Sequence, residues 1–409
     1  MKKLTVKLRF NPGDERLVGT LAEQDRRLYF EYDAAFIATG MDLSPYKLPV
    51  RAGLIEHDDR AFGPLPGLFD DSLPDGWGLL LMDKHFRREG IDPVTLSPLD
   101  RLSYLGSRTM GALTYHPSYE VDTGDQILDL ARLGENAANV IEGEATDVLP
   151  ELMRAGGSPA GARPKVLVGV RDNSILSGEG DLPDGYEHWL IKFPSSRDAG
   201  DAGPVEYAYS LMARAAGIEM PETRLFAAGK GKHRRRYFGV RRFDRGPGNR
   251  RYHVHSFANL IHTNFRIPST DYTDLFKVTK TLTRSQAELG CLFRQMVFNI
   301  ASHNRDDHAK NFAFIFDENV NEWALSPAFD LMHASGPGGE QTMTVSGKGR
   351  DITGYDCIAL GERFGIKPKQ SEAMIAEVND AVGRWSTLAD ESGVSEVEQK
   401  RVGQSLQRL

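Results

Sequence analysis

One polar segment, residues 303–311 (HNRDDHAKN), constrains the fold more than any other part of the chain. Before it, apolar residues recur at the three- and four-residue spacing that predicts a core-facing helix: Leu289, Leu292, Phe293, Met296, Val297 and Ile300. After it, residues 311–316 (NFAFIF) have the composition of a buried strand. A run of charged and amide side chains between two core elements is typical of a functional loop.

Asp306 and Asn311 stand five positions apart in this segment. The catalytic loop of protein kinases has this spacing, and there the Asp accepts the substrate hydroxyl proton while the Asn holds magnesium. A hairpin after the loop would return Asp330 close to Asn311, and its carboxylate suits a hard cation that prefers oxygen ligands. Two other interpretations stay open. The paired aspartates would cap a helix, or they would form a hydrolase metal site with His303 and His308, whose spacing matches no zinc signature.

The upstream sequence supplies a matching set of residues. Lys192 lies in the apolar strand 188–193 (HWLIKF), and Glu206 opens an amphipathic helix fourteen positions later. Kinases pair such a strand lysine with a helix glutamate to hold the ATP phosphates. The small residues within 156–165 allow backbone amides to approach phosphate oxygens closely. Taken singly, the lysine–glutamate pair is equally expected of a structural ion pair, and the glycine-rich segment of an ordinary turn. All five features nevertheless occur in the kinase order: glycine-rich loop, strand lysine, helix glutamate, the loop with Asp and Asn, and the later metal-binding aspartate.

Charge and composition exclude several classes of protein. The 409-residue chain has a net charge of −7, which argues against nucleic-acid binding by the protein as a whole. The basic run 230–251 predicts either a phosphate-binding patch or a solvated hairpin tip, and the hairpin tip is favoured.

Cys291 and Cys357 are too few and too far apart for a disulfide framework or a zinc site. No apolar stretch approaches the ~20 residues that cross a bilayer. The N-terminus alternates charged and apolar residues and so resembles a strand and not a secretory signal. We therefore expect a cytoplasmic protein without a membrane partner.

Periodicity predicts alternating sheet and helix regions. Strands are expected at 4–10, 17–22 and 28–37, and then a helix whose start Asp75 and Gly76 help to cap. Further on we expect strands at 165–170, 188–193, 222–229 and 235–243, around a helix at 205–217 that Gly217 ends. From about residue 284 the pattern becomes helical.

The motifs together resemble the HipA-type kinases of bacterial toxin–antitoxin modules. Residues 304–311 (NRDDHAKN), preceded by Phe298 and Asn299, closely resemble the catalytic signature of that family. Further motifs occur in the family's order: SPAGARPK at 158–165, IKFP at 191–194, RFDR at 242–245 and PAFDL at 327–331. In the first region, FDDSLPDG at 69–76 resembles the family's N-terminal domain. The resemblance spans roughly residues 1–335.

The resemblance implies a role for each site residue. Asp306 would be the catalytic base, Asn311 and Asp330 the Mg²⁺ ligands, and Lys192 the ATP-phosphate lysine paired with Glu206. The other ATP-binding positions that it implies are Ser158, Gly161, Ala162, Lys165, Arg241, Phe243, His308 and Asn311. Ser158 is also where the family phosphorylates itself, and the added charge would repel the ATP phosphates.

Three positions depart from the family pattern. Arg241 stands where a glutamate is expected, which leaves the adenine hinge to the backbone around 241–243. Residues 254–256 (VHS) replace a Gln-Glu-Asp-like element, and Pro159 follows Ser158 and would stiffen the loop.

The fold that the resemblance implies is α+β, protein-kinase-like and two-lobed, with an N-terminal β-rich subdomain and an α-helical C-terminal lobe. We expect a HipA-type N-terminal domain at 1–140, an ATP-binding N-lobe-like region at 141–265, and a helical C-lobe with the catalytic loop at 266–409. The implied function is an ATP- and Mg²⁺-dependent serine/threonine kinase toxin that phosphorylates a protein, in this family an aminoacyl-tRNA synthetase. The implied partner is a HipB-type antitoxin, which is a helix-turn-helix DNA-binding protein. The chain would contact DNA only within its complex with this antitoxin.

Two alternatives keep the fold and change the function. One is a kinase for small molecules, although such enzymes have no need of the first 140 residues. The other is an inactive scaffold that binds an antitoxin and DNA. The joint presence of Lys192, Asp306, Asn311 and Asp330 argues against an inactive scaffold.

Overall fold

The computed structural model describes residues 1–119, 127–143, 148–156, 161–194, 201–231 and 234–409. Their strands are β1 (Lys2–Asn11), β2 (Asp14–Gln24), β3 (Arg27–Tyr32), β4 (Leu54–His57), β5 (Leu113–His116), β6 (Lys165–Arg171), β7 (Ser174–Ser177), β8 (Glu187–Lys192), β9 (Thr223–Ala228), β10 (Arg235–Arg241), β11 (His253–Ser256), β12 (Ala313–Asp317) and β13 (Glu322–Leu325). Their α-helices are α1 (Ala34–Ala38), α2 (Gly67–Asp70), α3 (Gly76–Arg88), α4 (Pro98–Leu105), α5 (Leu130–Glu142), α6 (Pro150–Gly156), α7 (Ala202–Ala215), α8 (Phe257–Ile261), α9 (Tyr272–Thr283), α10 (Gln286–Ala301), α11 (Gly354–Arg363), α12 (Pro368–Gly383), α13 (Trp385–Glu391) and α14 (Glu396–Gly403). None of these helices is both long and apolar enough to cross a membrane.

The first sheet has the strand order β4-β3-β2-β1-β5, and its strands pair antiparallel. Every second residue of β1 from Leu4 to Phe10 is buried, as expected for a strand with one face on the core. The predicted strand 28–37 is wrong in its second half, because β3 ends at Tyr32. Asp33 then caps α1, and its carboxylate accepts a hydrogen bond from the Ala35 amide at 2.8 Å.

The second sheet has the order β7-β6-β8-β10-β9 and carries two lysines side by side. Lys165 at the start of β6 lies opposite Lys192 at the end of β8, and Phe238 of β10 lies opposite Lys192 on the other side. Directly opposite residues in a sheet point to the same face, so the two ammonium groups lie on one surface. Helix α7 packs against β9 and β10 and ends just before Gly217, near the predicted position.

The C-terminal part combines the third sheet, β11-β12-β13, with helices α9 to α14. The apolar stripe predicted before the polar segment is confirmed: α10 covers 286–301, and all six predicted positions are buried. The apolar strand after the segment is β12, which forms a hairpin with β13. The three-part division at residues 140 and 265 stays a prediction.

A buried ion cluster joins the loop after β10 to the segment between α4 and β5. Asp244 accepts hydrogen bonds from Arg242 at 2.7 Å and 2.9 Å, from Arg245 at 2.7 Å and from the Gly111 amide at 2.7 Å. Arg245 also donates to the carbonyls of Gly111 and Thr109 at 2.9 Å and 2.8 Å. Burial alone would raise the pKa of Asp244, but the two guanidinium groups hold it well below its ordinary value.

The basic run 230–251 does not form one exposed patch over the part of it that the structure describes. Arg242, Arg245 and Arg251 are buried, and Arg250 pairs with Glu318 at 2.7 Å. The run begins in the hairpin that joins β9 to β10, and the residues described there are exposed. The hairpin interpretation therefore fits better than the phosphate-binding patch, because much of the positive charge is used inside the fold.

Candidate functional site

The centre of the candidate site is the ammonium group of Lys192. It contacts Glu206 of α7 and lies 2.6 Å from Oδ1 of Asp330. Burial alone would lower the pKa of Lys192, but the carboxylates of Asp330 and Glu206 raise it well above its ordinary value. Burial would likewise raise the pKa of Asp330, yet Lys192 and Lys165 hold it well below its ordinary range. Lys192 and Asp330 are therefore both charged at neutral pH, and they link the second sheet to the hairpin region.

The polar segment 303–311, here named the catalytic loop, begins where α10 ends and leads through a short 3₁₀ turn (Ala309–Asn311) into β12. Its two adjacent aspartates point to different environments. The side chain of Asp306 is 57% exposed, whereas Asp307 is buried. Asp307 accepts hydrogen bonds from the Tyr272 hydroxyl and the Thr342 amide, both at 2.8 Å. Neither carboxylate accepts a helix-capping bond from a described residue, so the capping interpretation is wrong.

Asp306 is available to a substrate because no described side chain hydrogen-bonds its carboxylate. Nε2 of His308 is 4.0 Å away, and the His308 ring packs against Phe265 with centroids 5.0 Å apart. Partial burial raises the pKa of Asp306, His308 opposes the rise, and the charge of Asp330 adds to it. A raised pKa makes this carboxylate a better proton acceptor than an ordinary surface aspartate.

Two oxygen donors beside this carboxylate fit magnesium. Nδ2 of Asn311 donates to the Asp306 carbonyl at 2.8 Å, which fixes the amide and leaves its Oδ1 for a ligand. Oδ1 of Asp330 contacts Lys192, and its second oxygen is a further carboxylate donor at the same position. Amide and carboxylate oxygens are the donors that this hard cation prefers.

The alternative of a hydrolase metal site is wrong. Among the described residues no three or more His, Cys, Asp and Glu side chains form a group that could hold a metal ion. His303, which that alternative requires, stacks instead on His333 with ring centroids 5.3 Å apart.

The glycine-rich turn lies partly outside the described residues. Ser158 is one of the positions left undescribed, whereas residues 161–165, here named the phosphate loop, are described. Gly161 has a φ of 103°, and an added Cβ there would collide with Nζ of Lys165. Burial lowers the pKa of Lys165 to about 8, although the charge of Asp330 opposes this shift.

The predicted hinge residues take up different positions. Arg241 donates its amide to the Glu222 carbonyl at 2.8 Å, and its guanidinium lies 3.0 Å from Glu187. Both groups of Arg241 are thus used in the fold, and its part in nucleotide binding stays a prediction. Phe243 is partly exposed, and its ring lies 5.4 Å from that of Phe329, the residue before Asp330. Sequence reasoning missed this aromatic pair, although Phe329 belongs to the PAFDL motif.

A second group that sequence reasoning missed comes from the first 119 residues. Asp75 was expected to help cap α3, but its side chain makes no capping bond. It accepts a hydrogen bond from the Gly161 amide instead, and its other oxygen lies 3.3 Å from Nζ of Lys310. The FDDSLPDG motif at 69–76 was the available signal, but it gave no indication of which loops the motif contacts.

The atypical segment 254–256 has a structural role. His255 Nδ1 lies 2.6 Å from Asp71, and the Ser256 hydroxyl donates to the same carboxylate at 2.7 Å. These contacts join β11 to the loop after α2. Two residues that depart from the family pattern, His255 and Ser256, therefore connect the third sheet to the region around α2.

Comparison with known proteins identifies the family. Residues 13–116 match the family described as HipA N-terminal domain, and residues 157–385 match the one described as HipA-like C-terminal domain. A curated relative from Haemophilus influenzae, described as "Putative kinase", is 22% identical over 190 residues. That match covers 44% of this chain and 53% of the relative, so the chain spans about half the length of the relative.

A solved structure extends the likeness to the whole chain. It is titled as the HipA, HipB and operator DNA complex of the Shewanella oneidensis MR-1 toxin–antitoxin system. The similarity covers 98% of this chain and 95% of that chain, with a TM-score of 0.69 and 16% identity. At this identity the likeness shows the fold, and the predicted α+β, protein-kinase-like architecture is confirmed. Because the two family matches together span most of the sequence, the chain belongs to the HipA family.

Proposed function

We propose that the chain is an ATP- and Mg²⁺-dependent serine/threonine protein kinase. The observation that carries this proposal is the Lys192 ammonium held between Glu206 and Asp330, in a chain that also presents an exposed Asp306. Kinases need a fixed cation at the ATP phosphates, a metal-binding aspartate beside it and a free carboxylate at the substrate hydroxyl. A purely structural ion cluster would not explain why the Asp306 carboxylate has no hydrogen-bonding partner among the described residues.

In the proposed mechanism, Lys192 and Lys165 hold the ATP phosphates from the second sheet. Asn311 and Asp330 would hold magnesium, and the ion would neutralise negative charge on the phosphate oxygens. The contact with Glu206 restrains the Lys192 side chain, so little rotamer freedom remains to be lost when ATP binds. Phe243 and Phe329 offer an apolar, partly exposed pair of rings for the adenine base.

Asp306 acts as the general base in this proposal. It orients the substrate hydroxyl and accepts its proton as the phosphoryl group is transferred. Asp307 holds the backbone of the catalytic loop through its bonds to Tyr272 and Thr342, so that Asp306 is presented at a fixed position. His308 lies next to Asp306 and opposes the rise in its pKa that burial causes, which favours the ionised form of the base.

We also propose that the kinase is the toxin of a toxin–antitoxin module. Support comes from membership of the HipA family and from the likeness to a chain of a HipA–HipB–DNA complex. The proposal includes an antitoxin of HipB type, through which the chain meets DNA, and a protein substrate of the aminoacyl-tRNA synthetase class. Self-phosphorylation at Ser158 rests on the resemblance alone, since that residue lies outside the described part of the chain.

Inducing the gene without an antitoxin in a bacterial host tests the toxin role. Wild type is expected to arrest growth, whereas Asp306→Ala and Asp330→Ala should grow normally because they lose the base and a metal ligand. Colony counts after induction measure the effect, and immunoblots should confirm equal amounts of wild type and every variant. Asp317→Ala is a matched control, because Asp317 is an exposed aspartate at the end of β12.

Two outcomes would contradict the toxin role. Equal growth with all four proteins would favour a kinase that acts on a small molecule or on a harmless protein. Arrest by the Asp306→Ala variant as strong as that by wild type would mean that growth inhibition does not require the proposed chemistry.

A further inference from the structure

The side chain of Asp75 connects two loops that are far apart in the sequence. One of its oxygens accepts a hydrogen bond from the Gly161 amide in the phosphate loop, and the other lies 3.3 Å from Nζ of Lys310 in the catalytic loop. Asp75 and Lys310 are each only 14% exposed. Hydrogen bonds and ion pairs to a charged group are stronger when they are shielded from water, so this bridge is not a chance surface contact.

The start of α3 holds the phosphate loop by further bonds. The Trp77 amide donates to the Gly161 carbonyl at 3.0 Å, so both polar groups of the Gly161 residue are bonded to this turn. Nε1 of Trp77 donates to the Lys165 carbonyl, also at 3.0 Å. A Cβ added to Gly76 would lie 2.7 Å from Cα of Ala162, which shows how closely the two backbones approach.

The other end of the bridge is next to the metal position. Lys310 precedes Asn311, and its ammonium group also lies 5.0 Å from the centre of the Phe265 ring. Burial alone would raise the pKa of Asp75, but Lys310 and the Gly161 amide lower it overall. The Asp75 carboxylate is therefore charged at neutral pH, and it draws Lys310 towards the first 119 residues.

We propose that Asp75 is a positioning residue that sets the distance between the phosphate loop and the catalytic loop. Through it, the first part of the chain completes a nucleotide site whose other residues come from the second sheet and the C-terminal part. The inference rests on the proposed function, since it assigns a role in binding Mg·ATP. Asp75 itself does not touch the reacting atoms in this account.

The test is calorimetric titration of Mg·ATP into the full-length chain and its variants. Asp75→Asn keeps an acceptor for the Gly161 amide but removes the charge that faces Lys310, and we expect it to bind Mg·ATP about tenfold more weakly. Asp75→Ala loses both contacts and should bind more weakly still. Lys310→Met removes the same ion pair from the other side, and combining it with Asp75→Asn should add little, because the pair is already broken.

A control variant separates positioning from general destabilisation. Asp83 lies on the same helix, α3. Its carboxylate is 2.7 Å from the guanidinium of Arg101 and takes no part in the bridge. Asp83→Asn should therefore leave Mg·ATP affinity within about twofold of wild type. A kinetic measurement adds a second readout: Asp75→Asn should raise the KM for ATP more than it lowers kcat, since the base and the metal ligands are retained.

Three results would overturn the inference while leaving the proposed function intact. The first is Mg·ATP affinity of Asp75→Asn within twofold of wild type. The second is tighter binding by that variant, which would make Asp75 an anion that competes with the phosphates. The third is an equal loss of affinity in Asp83→Asn. A wild-type chain that does not bind Mg·ATP would refute the proposed function and the inference together.

Discussion

Replacing Asp306 with Asn is expected to slow phosphoryl transfer by about 10²–10⁴-fold, the range associated with losing a general base. Asn has nearly the same shape but cannot accept the hydroxyl proton. The Asp306 carboxylate has no hydrogen-bonding partner among the described residues, so the substitution should leave the fold and the affinity for Mg·ATP nearly unchanged. Transfer from γ-labelled ATP measures the rate, and calorimetric titration measures the affinity.

The matched control for this variant is Asp317→Asn. It also removes the charge of an exposed aspartate, at the end of β12. It should transfer phosphate at the wild-type rate. If Asp306→Asn retained more than about a tenth of the wild-type rate, the base assignment would be wrong, since such a loss is too small for this role. A loss of Mg·ATP affinity as large as the loss of rate would instead place Asp306 in nucleotide binding.

The second large effect concerns stability. Asp244→Ala is expected to lower the free energy of unfolding by about 3–5 kcal/mol, because removing one member of a buried ion cluster leaves the others uncompensated. The guanidinium groups of Arg242 and Arg245 would remain buried without their carboxylate, and the Gly111 amide would lose its acceptor. Urea titration followed by circular dichroism measures the change.

An exposed ion pair provides the comparison for Asp244→Ala. Asp274 lies 3.0 Å from Lys277 one turn along α9, and both side chains are largely in water. Asp274→Ala should change the free energy of unfolding by less than about 0.5 kcal/mol. Two results would contradict this role of the cluster: similar losses of stability in the two variants, or a loss below about 1 kcal/mol in Asp244→Ala. Either result would mean that the cluster does not stabilise the contact between the loop after β10 and the segment between α4 and β5.

The sequence predicts the features of this fold that depend on local spacing. The stripe on α10 predicts its buried face, because a helix repeats every 3.6 residues. The hairpin of β12 and β13 follows from two apolar runs around a turn. The closeness of Lys192 and Glu206 is expected from a strand that is followed directly by a helix packing on the same sheet.

Features that depend on contacts between distant residues could not be read from the sequence. Asp75 is 86 positions from Gly161 and 235 positions from Lys310, and nothing in its local pattern indicates these partners. Its position before a helix suggested a cap, which is the commonest local role for an aspartate there. The different environments of Asp306 and Asp307 were hidden for the same reason, because Asp307 is buried by Tyr272 and Thr342 from other elements.

Transfer of the γ-phosphoryl group from labelled ATP to a protein is the direct test of the proposed kinase activity. The purified chain is incubated with γ-labelled ATP and bacterial lysate proteins, once with Mg²⁺ and once with a chelator that removes divalent cations. We expect label on serine or threonine of a protein with Mg²⁺, and none with the chelator or with Asp330→Asn. Equal labelling by Asp330→Asn and wild type, or a folded wild-type chain that transfers no label with Mg²⁺, would contradict this proposal.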